Sequence, residues 1–178
     1  IIVPVYNGYE FLNPFFEIFK KEINFDEIEV LIIDNNSSIK FLEALILKSQ
    51  EYDFISVYSY NKKRSSYAAR NFGFSKTMGD IIAFTDFDCL LTKSYIKELR
   101  DQTNEIDSLI SGKVELFPFK NNYFEVFDKT TYLKQEEYFN KGYAATANLV
   151  LNRKIFKNVG GFREITSGGD SDFCKRAI

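Results

Sequence analysis

Short apolar runs alternate along this chain with longer stretches of helical spacing, and each run stops on polar or turn-forming residues. Ile1–Val5 reads as a buried strand closed by the turn chemistry of Pro4-Val5-Tyr6-Asn7-Gly8. Residues 9–21 carry Phe11, Phe15, Phe16 and Phe19 at the spacing of a helix. Glu29–Ile33 is the next strand and closes on Asp34-Asn35-Asn36-Ser37-Ser38. Ser37 or Ser38 suits the N-cap of the helix that follows, to about Lys48. Phe54–Tyr58 predicts a third strand and Ser65–Thr77 an Ala-rich helix ended near Gly79. Asp80–Thr85 predicts a fourth strand running into Asp86-Phe87-Asp88, and Lys93–Arg100 a helix.

Four strand–helix repeats at short spacing call for an α/β fold: a mostly parallel, Rossmann-like central sheet flanked by helices in a single domain. In such sheets ligands sit outside the carboxyl ends of the strands. Three strand ends deliver polar residues there: Tyr6-Asn7, Asp34–Asn36 and Asp86–Asp88. The second half is less regular. Leu109–Phe117 reads as a strand, and 121–141 as either a helix or a substrate loop. Ala147–Leu151 reads as a strand and Lys154–Val159 as a short helix ended by Gly160-Gly161-Phe162. Ser167-Gly168-Gly169-Asp170 leads into a final helix.

The 178 residues suffice for one substantial core, and 45% hydrophobic with 27% charged residues is a globular balance. A net charge of -2 gives none of the basic excess that accompanies nucleic-acid binding. Most of the 19 Phe and 11 Tyr are read as core, although sugar-binding proteins also use aromatic faces. Histidine is absent, which excludes His-based triads, His metal sites and His general bases. Acid–base and metal chemistry therefore falls to carboxylates. Cys89 and Cys174 are far apart and read as reduced thiols of a cytoplasmic protein. No signal peptide or membrane-spanning run is visible, and both ends read as cut. Any peripheral membrane-binding element is expected in the missing regions.

The sharpest local signal is Phe84-Thr85-Asp86-Phe87-Asp88-Cys89. Two carboxylates two residues apart at the end of an apolar strand aim at one point in space. Mn2+ and Mg2+ prefer such oxygen ligands and share them with substrate phosphates. A diphosphate leaving group needs that neutralisation as its bond to a sugar breaks. The bland alternative is a pair of turn residues capping the next helix.

Several segments together resemble family 2 glycosyltransferases of the GT-A fold, as found in bacterial surface-polysaccharide assembly. Ile1-Ile-Val-Pro-Val-Tyr-Asn-Gly8 is similar to the family's first strand, and Leu31-Ile-Ile-Asp-Asn-Asn-Ser-Ser38 to its second. Ser66-Tyr-Ala-Ala-Arg-Asn-Phe-Gly73 resembles the third motif, and Asp86-Phe-Asp88 the Asp-x-Asp. Thr146-Ala-Asn-Leu-Val and Val159-Gly-Gly-Phe162 look like the acceptor-side strand and its turn. Ser167-Gly-Gly-Asp-Ser-Asp-Phe173 resembles the catalytic-base motif. The matches stand in family order and cover essentially the whole chain.

The resemblance implies roles position by position. Pro4 and Tyr6 would line the pocket of the nucleotide base, with Tyr6 packing on it; otherwise Tyr6 is a turn aromatic over the core. Asp34 would accept a hydrogen bond from uracil, with Asn36 beside it at the donor; an Asp there also caps helices. Arg70 would reach the base or diphosphate, or else lie on a solvated face. Asn71 and Gly73 would serve local packing. Asp86 would contact the ribose or a metal-bound water, and Asp88 the metal. Asp170 would be the general base of an inverting transfer, with Asp172 its rival. The bland reading of Asp170 is an acid favoured by the helix macrodipole. Many relatives place a Glu directly before this Asp, where this chain has Gly169. Cys89, where many relatives carry an acid or polar residue, reads as a tolerated small residue. Lys62-Lys63-Arg64 reads as a solvated loop that could approach the diphosphate.

The implied activity is inverting transfer of a sugar (hexosyl or N-acetylhexosaminyl) from a nucleotide-sugar, a UDP-sugar by analogy, to a hydroxyl of a glycan or lipid-linked acceptor. The domain would divide into a nucleotide-binding half, 1–92, and an acceptor and catalytic-base half, 93–178, working at the inner face of the cytoplasmic membrane. Two alternatives stay open. A sugar-nucleotide nucleotidyltransferase would carry a glycine-rich basic loop after the first strand, and Pro4–Gly8 is neither. A degenerate domain that binds nucleotide or glycan without turnover differs only in lacking acceptor-dependent consumption of the donor.

Overall fold

The computed structural model describes residues 1–21, 28–92, 94–102, 108–117 and 134–178. Among these, six strands form one sheet in the order β3-β2-β1-β4-β6-β5. The strands are β1 (Ile2–Val5), β2 (Val30–Asp34), β3 (Ile55–Ser59), β4 (Ile81–Thr85), β5 (Ile110–Ser111) and β6 (Asn148–Asn152). β1 pairs in parallel with β2 and β4, and β2 with β3. β6 runs antiparallel to β4, and β5 to β6. The helices are α1 (Tyr9–Glu17), α2 (Ile39–Ser49), α3 (Ser66–Lys76), α4 (Tyr95–Gln102), α5 (Gln135–Asn140), α6 (Arg153–Val159) and α7 (Gly169–Ala177). The mixed α/β domain with a mostly parallel sheet matches the sequence expectation.

Every residue of β1 and β2 is buried, so both faces of the sheet must be covered. Alternation along each strand sorts the side chains. Ile2, Leu31, Ile33, Ile82, Phe84, Leu149 and Leu151 face α3, α6 and α7, where Phe156, Phe162 and Phe173 fill the layer. Val3, Val5, Val30 and Ile32 face α1 and α2, against Phe15, Phe16, Phe41 and Leu45. On the first side α3 lies very close: a Cβ at Gly73 would stand 2.6 Å from Ile2 Cγ2 and 3.0 Å from Ile33 Cγ1. Asn71 clamps this layer, donating to the Phe162 carbonyl at 2.8 Å and accepting from the Phe162 N–H at 2.9 Å. Asn71 and Gly73 thus serve packing.

Ser38 is the N-cap of α2 and Ser65 that of α3, each accepting a backbone N–H three residues on. The stretch 9–21 divides: α1 ends at Glu17 and a 3-10 turn follows over Phe19–Lys21. Of the strand expected over Leu109–Phe117, only Ile110–Ser111 pairs. β6 begins at Asn148, opposite Gly112, so later residues meet no further strand. Of 121–141, Gln135–Asn140 is helical, and 121–133 lie outside the described residues, as does Lys93. No helix among the described residues is long and apolar enough to cross a membrane.

Glu29, just before β2, ties down the connection from α3 to β4. It accepts hydrogen bonds from Thr77 Oγ1, from the Met78 N–H at 2.7 Å and from the Gly79 N–H at 3.0 Å. Burial works to raise its pKa, but these hydrogen bonds outweigh it and the carboxyl is held below its ordinary value of 4.5. A depressed folded pKa stabilises the fold above the unfolded value, and that contribution is lost as pH falls through the folded value. Glu29→Gln is expected to lower stability at pH 7 by about 1 kcal/mol, discounted for partial exposure. The gap to wild type should shrink as pH drops below 4.5, as thermal unfolding across pH will show.

Candidate active site

The carboxyl ends of β1, β2, β3 and β4 share one edge of the sheet, and antiparallel β6 brings its amino end there too. The loops on this edge are laced together. The Asn7 N–H donates to Ser37 Oγ at 2.7 Å, and Asn7 Oδ1 accepts from the Ser38 N–H at 3.0 Å. This exchange holds the β1 loop, with Asn7 at φ 55 and Gly8 at φ 112, against the β2 loop. Buried Asn35 joins β2 to the loop before α3. Its Nδ2 donates to the Tyr60 and Lys63 carbonyls, both at 2.8 Å, and its Oδ1 accepts from the Ser65 N–H at 2.7 Å. That loop carries Arg64, whose guanidinium carbon lies 3.8 Å from the centre of the Tyr6 ring.

The loops enclose a cleft of about 630 Å3 lined by residues that include Pro4, Tyr6, Asn35, Ser66, Arg70, Asp86 and Asp88. A second cleft, of about 760 Å3 and largely apolar, meets it at Asp86 and Asp88. Pro4, Tyr6, Arg70, Asp86 and Asp88 are therefore brought together as expected. Asp34 and Asn36 are not among the lining residues. Asp34 is 2% exposed and its Oδ1 accepts the Ser37 N–H at 3.3 Å. Its carboxylate holds the β2 turn, and Asn36 is an exposed residue of that turn at φ 69. Asn35, between them, reaches the cleft instead.

Arg70 is 3% exposed, far from the solvated face that its spacing on a helix allowed. One Nη donates to Asp86 Oδ1 in an ion pair, while Nε has no partner among the described residues. A buried guanidinium on a cleft wall, only partly satisfied, suits an anionic ligand. Partial burial and then the negative charge of Asp86 raise the pKa of Asp88. A cation relieves such crowding. Asp86, Asp88 and Cys89 can each offer a ligand atom, all within 4.8 Å of one another. Two carboxylates fit a hard divalent ion. Burial and Asp86 push the Cys89 thiol up to about 11, so it stays protonated and is a poor ligand for such an ion.

Asp170 and Asp172 separate cleanly. Asp172 is gripped by Arg163 Nη1 at 2.9 Å and by Arg176, whose Nε lies at 2.9 Å from the other oxygen. Arg176 also donates to the Val159 and Gly161 carbonyls. Both Asp172 oxygens thus fasten the turn after α6 to α7. Asp170 lines neither cleft. Its Oδ2 accepts the Thr146 N–H at 3.0 Å, and Thr146 Oγ1 stands 3.4 Å from both oxygens. Tyr67, one turn before Arg70, accepts the Gly169 N–H at 3.0 Å at the start of α7, the helix of Asp170. Burial and then Asp170 raise its hydroxyl pKa, so it stays a proton donor. Sequence reading singled out neither Tyr67, Thr146 nor Asn35 for a role: each acts through a contact across the fold, which no local spacing reveals.

A mostly parallel sheet with a nucleotide-sized cleft at its carboxyl edge, rimmed by two carboxylates and a buried arginine, is a GT-A domain. Residues 1–160 match Glycosyl transferase family 2, and the chain belongs to that family. It is 30% identical over 182 residues to Glycosyltransferase AglE of Haloferax volcanii, covering 99% of this chain and 60% of that protein. It is 28% identical over 169 residues to the undecaprenyl-phosphate 4-deoxy-4-formamido-L-arabinose transferase of Salmonella typhimurium, covering 91% and 45%. The chain thus spans about half the length of the curated relatives it matches. Among solved structures it resembles the mannosyltransferase PcManGT of Pyrobaculum calidifontis in complex with GDP-Man and Mn2+, with TM-score 0.75, 18% identity and coverage of 99% and 50%. It also resembles S. aureus TarS in complex with UDP-GlcNAc, with TM-score 0.74, 19% identity and coverage of 99% and 52%. These likenesses show the fold.

Asp172→Ala should cost about 1 kcal/mol, carried mainly by the partly buried Arg176 contact, since the Arg163 side chain is 65% exposed. Asp170→Asn keeps an acceptor for the Thr146 N–H and should cost less. Thermal unfolding of the two variants at pH 7 checks the order.

Proposed function

We propose that this domain transfers a sugar from a nucleotide-sugar to a hydroxyl of a glycan or lipid-linked acceptor, with inversion at the anomeric carbon. The observation that carries this reading is the junction of two clefts at Asp86 and Asp88, with buried Arg70 paired to Asp86 on its wall. One cleft has the size for a nucleoside diphosphate and carries Arg70, Asp86 and Asp88 on its lining. The other, adjoining the same carboxylates, is where an acceptor would approach. UDP is the nucleotide we favour, and a hexose or N-acetylhexosamine the transferred unit. The GDP-Man and UDP-GlcNAc held by the two structural neighbours support a nucleoside diphosphate sugar in general. A relative named for undecaprenyl phosphate supports a lipid-linked acceptor; work at the inner face of the cytoplasmic membrane is part of the same proposal.

Each residue then has a task. Pro4 and Tyr6 form the base end of the cleft. Asp88, with Asp86 beside it, would hold Mn2+ or Mg2+, which neutralises charge on a departing diphosphate. Arg70 adds a fixed positive charge on the same wall. The acceptor oxygen bonds to the anomeric carbon as the bond from that carbon to the diphosphate oxygen breaks, and we assign the acceptor proton to Asp170 on the resemblance of its motif, although that carboxylate lines neither cleft. Asp172, with both oxygens held by arginines, is not suited to receive it. Residues 1–92 thus supply the donor site and 93–178 the base and acceptor side. We assign Asp34 and Asn36 to the turn that shapes the cleft rather than to the nucleotide.

Calorimetry with UDP is expected to show binding that strengthens with Mn2+, and Asp88→Ala is expected to abolish the metal dependence. Failure of UDP, GDP and CDP alike to bind folded protein would remove the donor site from this cleft. Asp170→Asn should lower acceptor-dependent turnover by about 10²–10⁴-fold with nucleotide affinity unchanged.

A further inference from the structure

Tyr6, just past β1, and Arg64, in the loop before α3, meet face to face. The guanidinium carbon stands 3.8 Å from the ring centre, the spacing of a planar cation laid on an aromatic face. Its neighbour Lys63 turns elsewhere, donating to the Glu164 carbonyl at 3.0 Å and pairing with the Glu164 carboxylate at 3.1 Å. One side chain builds the contact from below. Asn35, 4% exposed, donates its backbone N–H at 2.8 Å to the carbonyl of Val5, directly before Tyr6. Its amide grips the residues on both sides of Arg64: Nδ2 donates to the Lys63 carbonyl at 2.8 Å, and Oδ1 accepts from the Ser65 N–H at 2.7 Å. An aspartate at this position could not donate, so an amide is required. The backbone under both members of the pair is therefore fixed by a single buried residue. Tyr6 lines the cleft and Arg64 does not. The guanidinium thus backs the ring from outside, and the ring, still 49% exposed, keeps surface for a ligand.

We infer that Arg64 is a positioning residue for the nucleotide: its guanidinium braces the Tyr6 ring as a stacking platform for the base. The inference rests on the reading of this cleft as the donor site. A half-exposed tyrosine without support loses rotational freedom when a base stacks on it, and that loss weakens binding. A cation already laid on the opposite face orders the ring beforehand, so less is lost when the ligand arrives. Every base has a π-face, so such a platform raises affinity for nucleotides as a class without choosing among bases. The charge of the Lys62-Lys63-Arg64 loop suggested the diphosphate; its geometry assigns Arg64 to the base end. The diphosphate is left to Arg70 and the Asp86–Asp88 pair, which stand on the lining of the same cleft.

The test uses Arg64→Ala, which removes the brace, and Arg64→Lys, which keeps the charge but loses the plane. NMR of protein labelled on its tyrosine rings, with Tyr6 assigned through Tyr6→Phe, reads the brace without any ligand. Arg64→Ala is expected to move the Tyr6 ring signals and to raise the mobility of that ring. Calorimetry in the presence of Mg2+ is expected to show UDP binding weakened about two- to fivefold in Arg64→Ala and partly restored in Arg64→Lys, with inorganic pyrophosphate binding unchanged. Unmoved Tyr6 ring signals in folded Arg64→Ala protein overturn the brace, whatever the nucleotide does. Unchanged UDP affinity overturns the positioning role, and tighter UDP binding does so too by showing that Arg64 competes with the base for the ring. Pyrophosphate binding that weakens in step with UDP also overturns it and assigns Arg64 to the phosphates. In each of these cases wild-type protein that binds UDP leaves the donor site standing, whereas wild-type protein that binds no nucleotide removes the donor site and this role together.

Discussion

The close seating of α3 on the sheet is the constraint from which the rest of the site follows. Only glycine at position 73 lets the helix axis approach Ile2 and Ile33 as it does. Once the helix is seated, its successive turns are committed. Arg70 is driven to the end of β4, where Asp86 meets it. Asn71 clamps the turn at Phe162, Phe74 stacks on Phe156 at 4.2 Å, and Tyr67 reaches α7. Residues three, four and seven apart share a face, so one helix surface touches the cleft, the start of α7 and the aromatic layer beneath them. A slip of α3 by one residue would break all of these contacts together.

The carboxylates of this edge differ through their partners rather than their chemistry. Asp34 is spent on a backbone turn and Asp172 on two arginines. Asp86 is half satisfied by a buried guanidinium, and Asp88 is crowded by burial and by Asp86 with no cation opposite it among the described residues. Two neighbouring carboxylates beside one guanidinium on a cleft wall leave negative charge that a bound cation would offset. Membership of the family is compatible with this sorting.

Much of this was legible from the order of residues alone. Strand burial on both faces leaves continuous apolar runs, and helices between them leave a 3.6-residue rhythm, so the parallel α/β architecture and its carboxyl edge could be read directly. Asp86 and Asp88 were legible because a strand that stops on two acids leaves few structural purposes for them. The caps at Ser38 and Ser65 were within reach of local chemistry for the same reason: the partner lies three residues away.

What the tertiary structure decided were choices between near-identical local patterns. Asp34, Asn35 and Asn36 are equivalent as a turn sequence, and only the pairing of β2 with its neighbours determines that Asn35 enters the cleft while Asp34 turns inward. Asp170 and Asp172 lie in the same helical turn, and their partners separate them: Arg176 one turn along α7 and Arg163 from the preceding loop grip Asp172, while Thr146 on the approach to β6 holds Asp170. Gly169 reads as a departure from a motif until the ring of Tyr67, 102 residues earlier, is found in its place. The sequence determines periodicity and local capping because those interactions span a few residues. It leaves the allocation of partners among like side chains to the fold, because that depends on which distant surfaces are pressed together.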